Sequence, residues 1–126
     1  MEALAAMMTF LTVSVAAILI PRMMIDWQRC REYLNDDDET ALRRFAAEQR
    51  RWIVRHGVCA AGAIGLVALI TCAPGMAHFE KLAGITTAYG MMTLTFALVE
   101  SLLAQRAENR LQARPAPARQ TGEFGR

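Results

Sequence analysis

The chain has 126 residues, with 14 Lys and Arg against 12 Asp and Glu, a net charge of +2, and 54% hydrophobic but only 7% aromatic residues. That length holds one domain at most, and so small a net charge, with acids set among the bases, argues against nucleic-acid binding. The three cysteines, Cys30, Cys59 and Cys72, are odd in number and widely spaced. They form neither a disulfide framework nor a CxxC motif, and small buried hydrophobes are expected at all three.

The first element is a charge-free block over residues 3–20, "ALAAMMTFLTVSVAAILI". Residues 57–73 and 82–99 are likewise uncharged. A bilayer span needs about 20 mostly apolar residues at a rise of about 1.5 Å, with about 17 as a lower limit. A helix on the surface of a soluble domain would carry a polar stripe every third or fourth position. These blocks carry only Thr and Ser, whose hydroxyls can bond the carbonyl one turn back. They read as transmembrane helices. The first begins "MEALAA", with an acid and no base, unlike a cleaved signal peptide with its positive leading region.

The arginines set a direction. Eight lie between spans one and two, from Arg22 to Arg55, and five follow span three, from Arg106 to Arg126; Lys81 alone falls between spans two and three. The positive-inside rule counts Lys and Arg close to span ends. It places the N-terminus outside and the C-terminus in the cytoplasm. Arg51, Trp52 and Arg55 then sit at headgroup level, where snorkelling cations and aromatic rings are favoured.

Between spans one and two the chain is patterned. Met23, Trp27, Cys30 and Leu34 share one helical face continuing from span one, with Pro21 at its start. "NDDDET", residues 35–40, offers helix-start chemistry, since Asn and Asp cap free N–H groups and acids suit the positive end of the helix dipole. Ala41, Phe45, Glu48 and Trp52 then resume helical spacing, with Leu42 and Gln49 alongside. Two helical extensions pairing as an antiparallel hairpin are expected. The acids Asp36, Asp37, Asp38 and Glu39 lack the spaced ligands and central Gly of an EF-hand loop, so they serve as a solvated helix start. Seven acids among eight bases also make this loop a lipid-headgroup neighbour rather than a nucleic-acid site.

Inside a membrane, helices associate through small residues. Gly57, Ala61 and Gly65 recur every fourth position in span two, and span three supplies Gly84, Ala88 and Gly90. Two uses are open: holding the three helices of one chain together, or joining copies. Glu100 is the acid within span three. Interfacial exposure beside an arginine is one expectation for it, and a polar intramembrane role is the other. His56 and His78 have no second ligand at metal spacing, so no metal site is assigned.

The expected architecture is therefore all-α, an integral membrane protein with three transmembrane helices and a cytoplasmic helical hairpin between spans one and two. A single membrane domain covers residues 1–114, with spans over about 3–22, 55–73 and 82–104 and the hairpin over about 23–54. Residues 115–126, with their Pro-Ala-Pro run, are expected to be a disordered cytoplasmic tail. No nucleophile with a base, phosphate loop or ligand cluster is legible. Neither enzymatic activity nor any cofactor, metal, nucleic acid or small-molecule substrate is expected.

A short external N-terminus, three spans bearing small and hydroxyl residues, and a charged inner tail together resemble the three-span bacteriophage holins. The resemblance is one of topology and implies a phage lysis protein that oligomerises in the bacterial inner membrane and opens lesions. The chain departs from that family in its long first loop, which suits a docking surface. An accessory or regulatory subunit of a larger membrane complex, or a phage factor that modifies the host membrane for superinfection exclusion, is the alternative.

Overall fold

The computed structural model describes residues 2–75 and 77–114. They form three long helices, α1 (Glu2–Asp36), α2 (Glu39–Cys72) and α3 (Glu80–Gln112), with one 3₁₀ turn at Ala77–Phe79 ahead of α3. All three are long and apolar enough to cross a membrane. The expected tail, 115–126, lies outside the described residues.

The helices contain 35, 34 and 33 residues. At a rise of about 1.5 Å each is some 50 Å long, against about 30 Å of bilayer hydrocarbon. The excess collects at one end, because the charge-free blocks begin α1, finish α2 and begin α3. There, the turn between α1 and α2 meets the C-terminal part of α3. α1 runs through Pro21 without interruption; proline has no N–H to give, so one carbonyl of the preceding turn goes without its intrahelical bond. At the turn, Asp37 takes a positive φ of 53°. Asp38 caps α2, its side chain accepting from the Ala41 N–H at 3.1 Å. The helix-start chemistry expected of "NDDDET" is thus centred on Asp38.

α2 and α3 are antiparallel and packed along most of their length. The buried residues of α2 include Leu42, Ala46, Gln49, His56, Ala60, Ala63 and Ile70. Those of α3 include Thr86, Gly90, Thr93, Ala97, Glu100, Ala104 and Ala107. Both series keep the alternating three-and-four spacing of a heptad seam. Most of these side chains are small, which lets the two backbones approach closely without any apolar advantage over lipid. The approach is tight at Gly90, where an added Cβ would lie 3.1 Å from the Ala63 Cβ.

α1 is held differently. Only Leu19, Asp26 and Cys30 are buried on it, and it lies mainly against α3. Just 6% of the residues in its most apolar stretch are buried, against 22% in α2 and in α3. Met7, Phe10, Val13 and Ile18 are all more than 60% exposed. At the turn end the three helices close around Cys30, Leu42, Phe45, Ala46, Leu103 and Ala107. The extensions of α1 and α2 are therefore not a free-standing pair: the last third of α3 packs with both. Trp27 remains 42% exposed with the Arg106 guanidinium over its ring at 5.1 Å, and Glu48 points outward.

Six of the seven span threonines bond within their own helix, whereas Thr86 is buried with its hydroxyl unpartnered among the described residues. Thr9, Thr12, Thr71, Thr87, Thr93 and Thr95 each donate to a carbonyl one turn back at 2.7–3.1 Å. Exposed ion pairs tie the end of α3 to the turn. Arg114 reaches the Asp37 carboxylate at 2.8 Å and Glu39 at 3.0 Å, and also donates to the Asp37 carbonyl. Arg110 lies 3.3 Å from Asp37, and Arg50 pairs with Glu108 at 2.7 Å.

Candidate functional site: a buried charged cluster

Where α1 joins the α2–α3 seam, each helix contributes polar side chains to one interior cluster. α1 provides Arg22 and Asp26, one turn apart. α2 provides Gln49, Trp52 and His56, which follow one another at helical spacing on the seam side. α3 provides Glu100.

His56 and Glu100 are the centre. His56 Nδ1 lies 2.8 Å from Glu100 Oε2, and the two side chains are only 7% and 3% exposed. This corrects the expectation that Glu100 is exposed at the interface beside Arg106, and it gives His56 a partner that sequence spacing did not suggest. The pair lies 44 positions apart in the chain, so only the antiparallel register of α2 and α3 brings it together. Phe96 lines the ring on one side, with ring centroids 5.9 Å apart.

Asp26 is the second buried carboxylate. Gln49 Nε2 donates to it at 3.0 Å, and Arg22 approaches it at 3.6 Å. Arg22 also lies over Trp52, its guanidinium carbon 3.4 Å from the ring centroid. Arg55 covers the same indole at 4.8 Å. The terminal nitrogens of Arg22 are buried with no hydrogen-bond partner, as is Gln49 Oε1. Arg22, Asp26 and Glu100 face one another across a narrow gap also lined by Leu19 and Met23.

Charge counting constrains what this arrangement can do. Two carboxylates and one guanidinium leave one net negative charge inside the chain. His56, hydrogen-bonded to Glu100, is the polar partner that remains for the second carboxylate. A buried, uncompensated charge is expensive, so each of these groups depends on the others around it. A cavity of about 240 Å³ adjoins His56, lined by Val15, Leu19, Trp52, Cys59, Tyr89 and Thr93 among others. The cluster supplies the polar contacts that α1 otherwise lacks.

The other singled-out residues are dispersed. Arg51 and Arg55 are exposed and Trp52 is half-buried. Gly57, Ala61, Gly65, Gly84 and Ala88 are all exposed in the single chain, and a Cβ added at Gly57, Gly65 or Gly84 would meet nothing within 4 Å. Only Gly90 of the six lies in the seam. Among the described residues no group of His, Cys, Asp or Glu could hold a metal ion. Arg22, Asp26 and Gln49 went unrecognised as site residues. The signal that could have found them is the presence of one Arg and one Asp on a helical face immediately after a charge-free block.

No protein-family model matches the chain, and no curated protein or solved structure matches it either. Its assignment therefore rests on its own residues: three helices able to span a bilayer, two of them joined by a small-residue seam, and the third fastened by buried charge.

Proposed function

We propose that this chain is a small, non-enzymatic protein of the bacterial inner membrane that acts by helix–helix association in the bilayer. Its N-terminus lies outside and the turn end in the cytoplasm, a reading supported by the arginine distribution. The observation that carries the reading is the bareness of α1. Its outer half presents Met7, Phe10, Val13 and Ile18 with almost no partner in the chain, and the small-residue face Gly57, Ala61 and Gly65 is also free. Apolar residues tolerate lipid, whereas small residues at four-residue spacing favour another helix.

The most specific form of this activity is a holin-like lysis protein of phage origin, whose copies assemble until the membrane loses its integrity. Three helices in one chain do not enclose a solute path, so oligomers are integral to it. Timed induction in a bacterium tests this. Membrane potential should collapse abruptly at a fixed delay, and a co-expressed endolysin should be released. Growth and potential unchanged at full expression would refute it.

A second reading is favoured by the turn end. Three helices close there around one apolar core, with charged residues outside, as a docking surface for a larger membrane complex would. That subunit, or a host-membrane-modifying exclusion factor, would co-purify with one stoichiometric partner and be harmless alone.

A further inference from the structure

Arg44, Glu48, Arg51 and Arg55 occupy one stripe of α2 at spacings of four, three and four, away from the seam that faces α3. All four side chains are exposed. Among the described residues, none of the three arginines makes an ion pair, whereas Arg22, Arg43, Arg50, Arg110 and Arg114 all do. Together with Ala47 and Trp52 they line a concave surface of about 400 Å³. Ala47 leaves its floor open, and one acid against three guanidinium groups leaves it cationic.

Its position matters as much as its charge. Arg55 is the last arginine before α2 becomes charge-free. Trp52, which also lines the hollow, carries the Arg22 and Arg55 guanidinium groups over its ring at 3.4 and 4.8 Å. Guanidinium groups recognise phosphate oxygens in pairs, and Trp prefers headgroup depth.

We propose that the Arg44–Arg51–Arg55 hollow binds a phosphate-bearing anion, supplied by an anionic phospholipid headgroup. Arg51 and Arg55, one turn apart, hold the phosphate; Arg44, farther from the span, meets the outer part of the headgroup; Trp52 sets the depth. This rests on the membrane placement above and is independent of whether copies assemble.

The full chain, purified in mild detergent, is titrated separately with phosphatidylglycerol, phosphatidylcholine and inorganic phosphate, and bound species are counted by native mass spectrometry. Phosphatidylglycerol should bind in preference to phosphatidylcholine. Each arginine near an anionic surface contributes about fivefold to affinity, so Arg51→Gln/Arg55→Gln should weaken binding roughly 25-fold. Arg29→Gln/Arg31→Gln, an equal charge change on α1, should leave it unchanged. Arg51→Lys/Arg55→Lys, which keeps charge and loses the paired geometry, should fall between. Competition by millimolar inorganic phosphate would assign the site to the phosphate group itself; no competition would assign it to the intact headgroup, and both support the hollow. Equal retention of the two lipids, or equal losses in both Gln pairs, would overturn the proposal. A chain that needs no detergent would instead overturn the membrane placement.

Discussion

The buried cluster makes a prediction in which charge counting and hydrogen-bond counting disagree. Glu100→Gln removes a carboxylate but keeps an amide able to bond His56 Nδ1 at the present 2.8 Å. It leaves Arg22 balanced by Asp26, so the cost is that of a weakened hydrogen bond, about 1 kcal/mol. Arg22→Met keeps most of the side-chain volume but strands Asp26 and Glu100 in one interior site. Those side chains are 6% and 3% exposed. Breaking a buried charge arrangement from one side costs about 3–5 kcal/mol, and the lost stacking on Trp52 adds about 1 kcal/mol. The double change Arg22→Met/Asp26→Leu removes the charge conflict and should recover most of that loss, giving a coupling energy above about 2 kcal/mol in a double-mutant cycle. Reversible unfolding in mixed detergent micelles, followed by circular dichroism, measures these three variants and the Asp26→Leu single change that closes the cycle. Arg22→Met no more destabilising than Glu100→Gln, or a double variant as unstable as the sum of its parts, would refute the charge count.

Small-residue positions separate contacts within the chain from contacts between copies. Gly90→Val, whose Cβ begins 3.1 Å from Ala63, should destabilise the monomer by about 1–3 kcal/mol in the same unfolding assay. Gly57→Ala and Gly65→Ala, with nothing within 4 Å, should leave monomer stability unchanged and reduce crosslinking between copies if their face joins them. At the turn, Asp38→Ala removes the side chain that accepts from Ala41 and should cost about 1 kcal/mol, with faster amide exchange confined to the first turn of α2. The Arg114 guanidinium, hydrogen-bonded beside Asp37, holds that carboxyl below the usual carboxylate range. A depressed folded value means the contribution is present above the unfolded value of about 3.9 and is lost as pH falls through the folded one. Amide protection factors at the end of α3 should therefore fall only below about pH 4, and Asp37→Asn should abolish that pH step.

Composition made the helices legible, because charge-free blocks of span length leave few other structures. The Asp38 cap was within reach too, since Asp ahead of an acidic first turn satisfies free N–H groups wherever the chain then goes. The helix partners were not. A four-residue repeat at Gly57, Ala61 and Gly65 draws attention to one face of α2, whereas the seam follows the heptad phase already set by Leu42, Ala46 and Gln49 in the extension. That phase carries through His56, Ala60 and Ala63, and continuing it across the boundary would have pointed to the buried face. Glu100 was visible as an acid in an apolar run, but its partner depends on the antiparallel register. Asp26 looked like one more acid among bases, and only its place one turn after Arg22, directly beyond a charge-free block, set it apart.

The account depends first on lipid surrounding the outer halves of these helices. Membranes from expressing cells, washed in alkaline carbonate and recentrifuged, test this most directly. The chain should remain wholly in the pellet and leave it only with detergent. Its recovery in the wash as a monodisperse species would contradict the membrane placement and the assembly built on it.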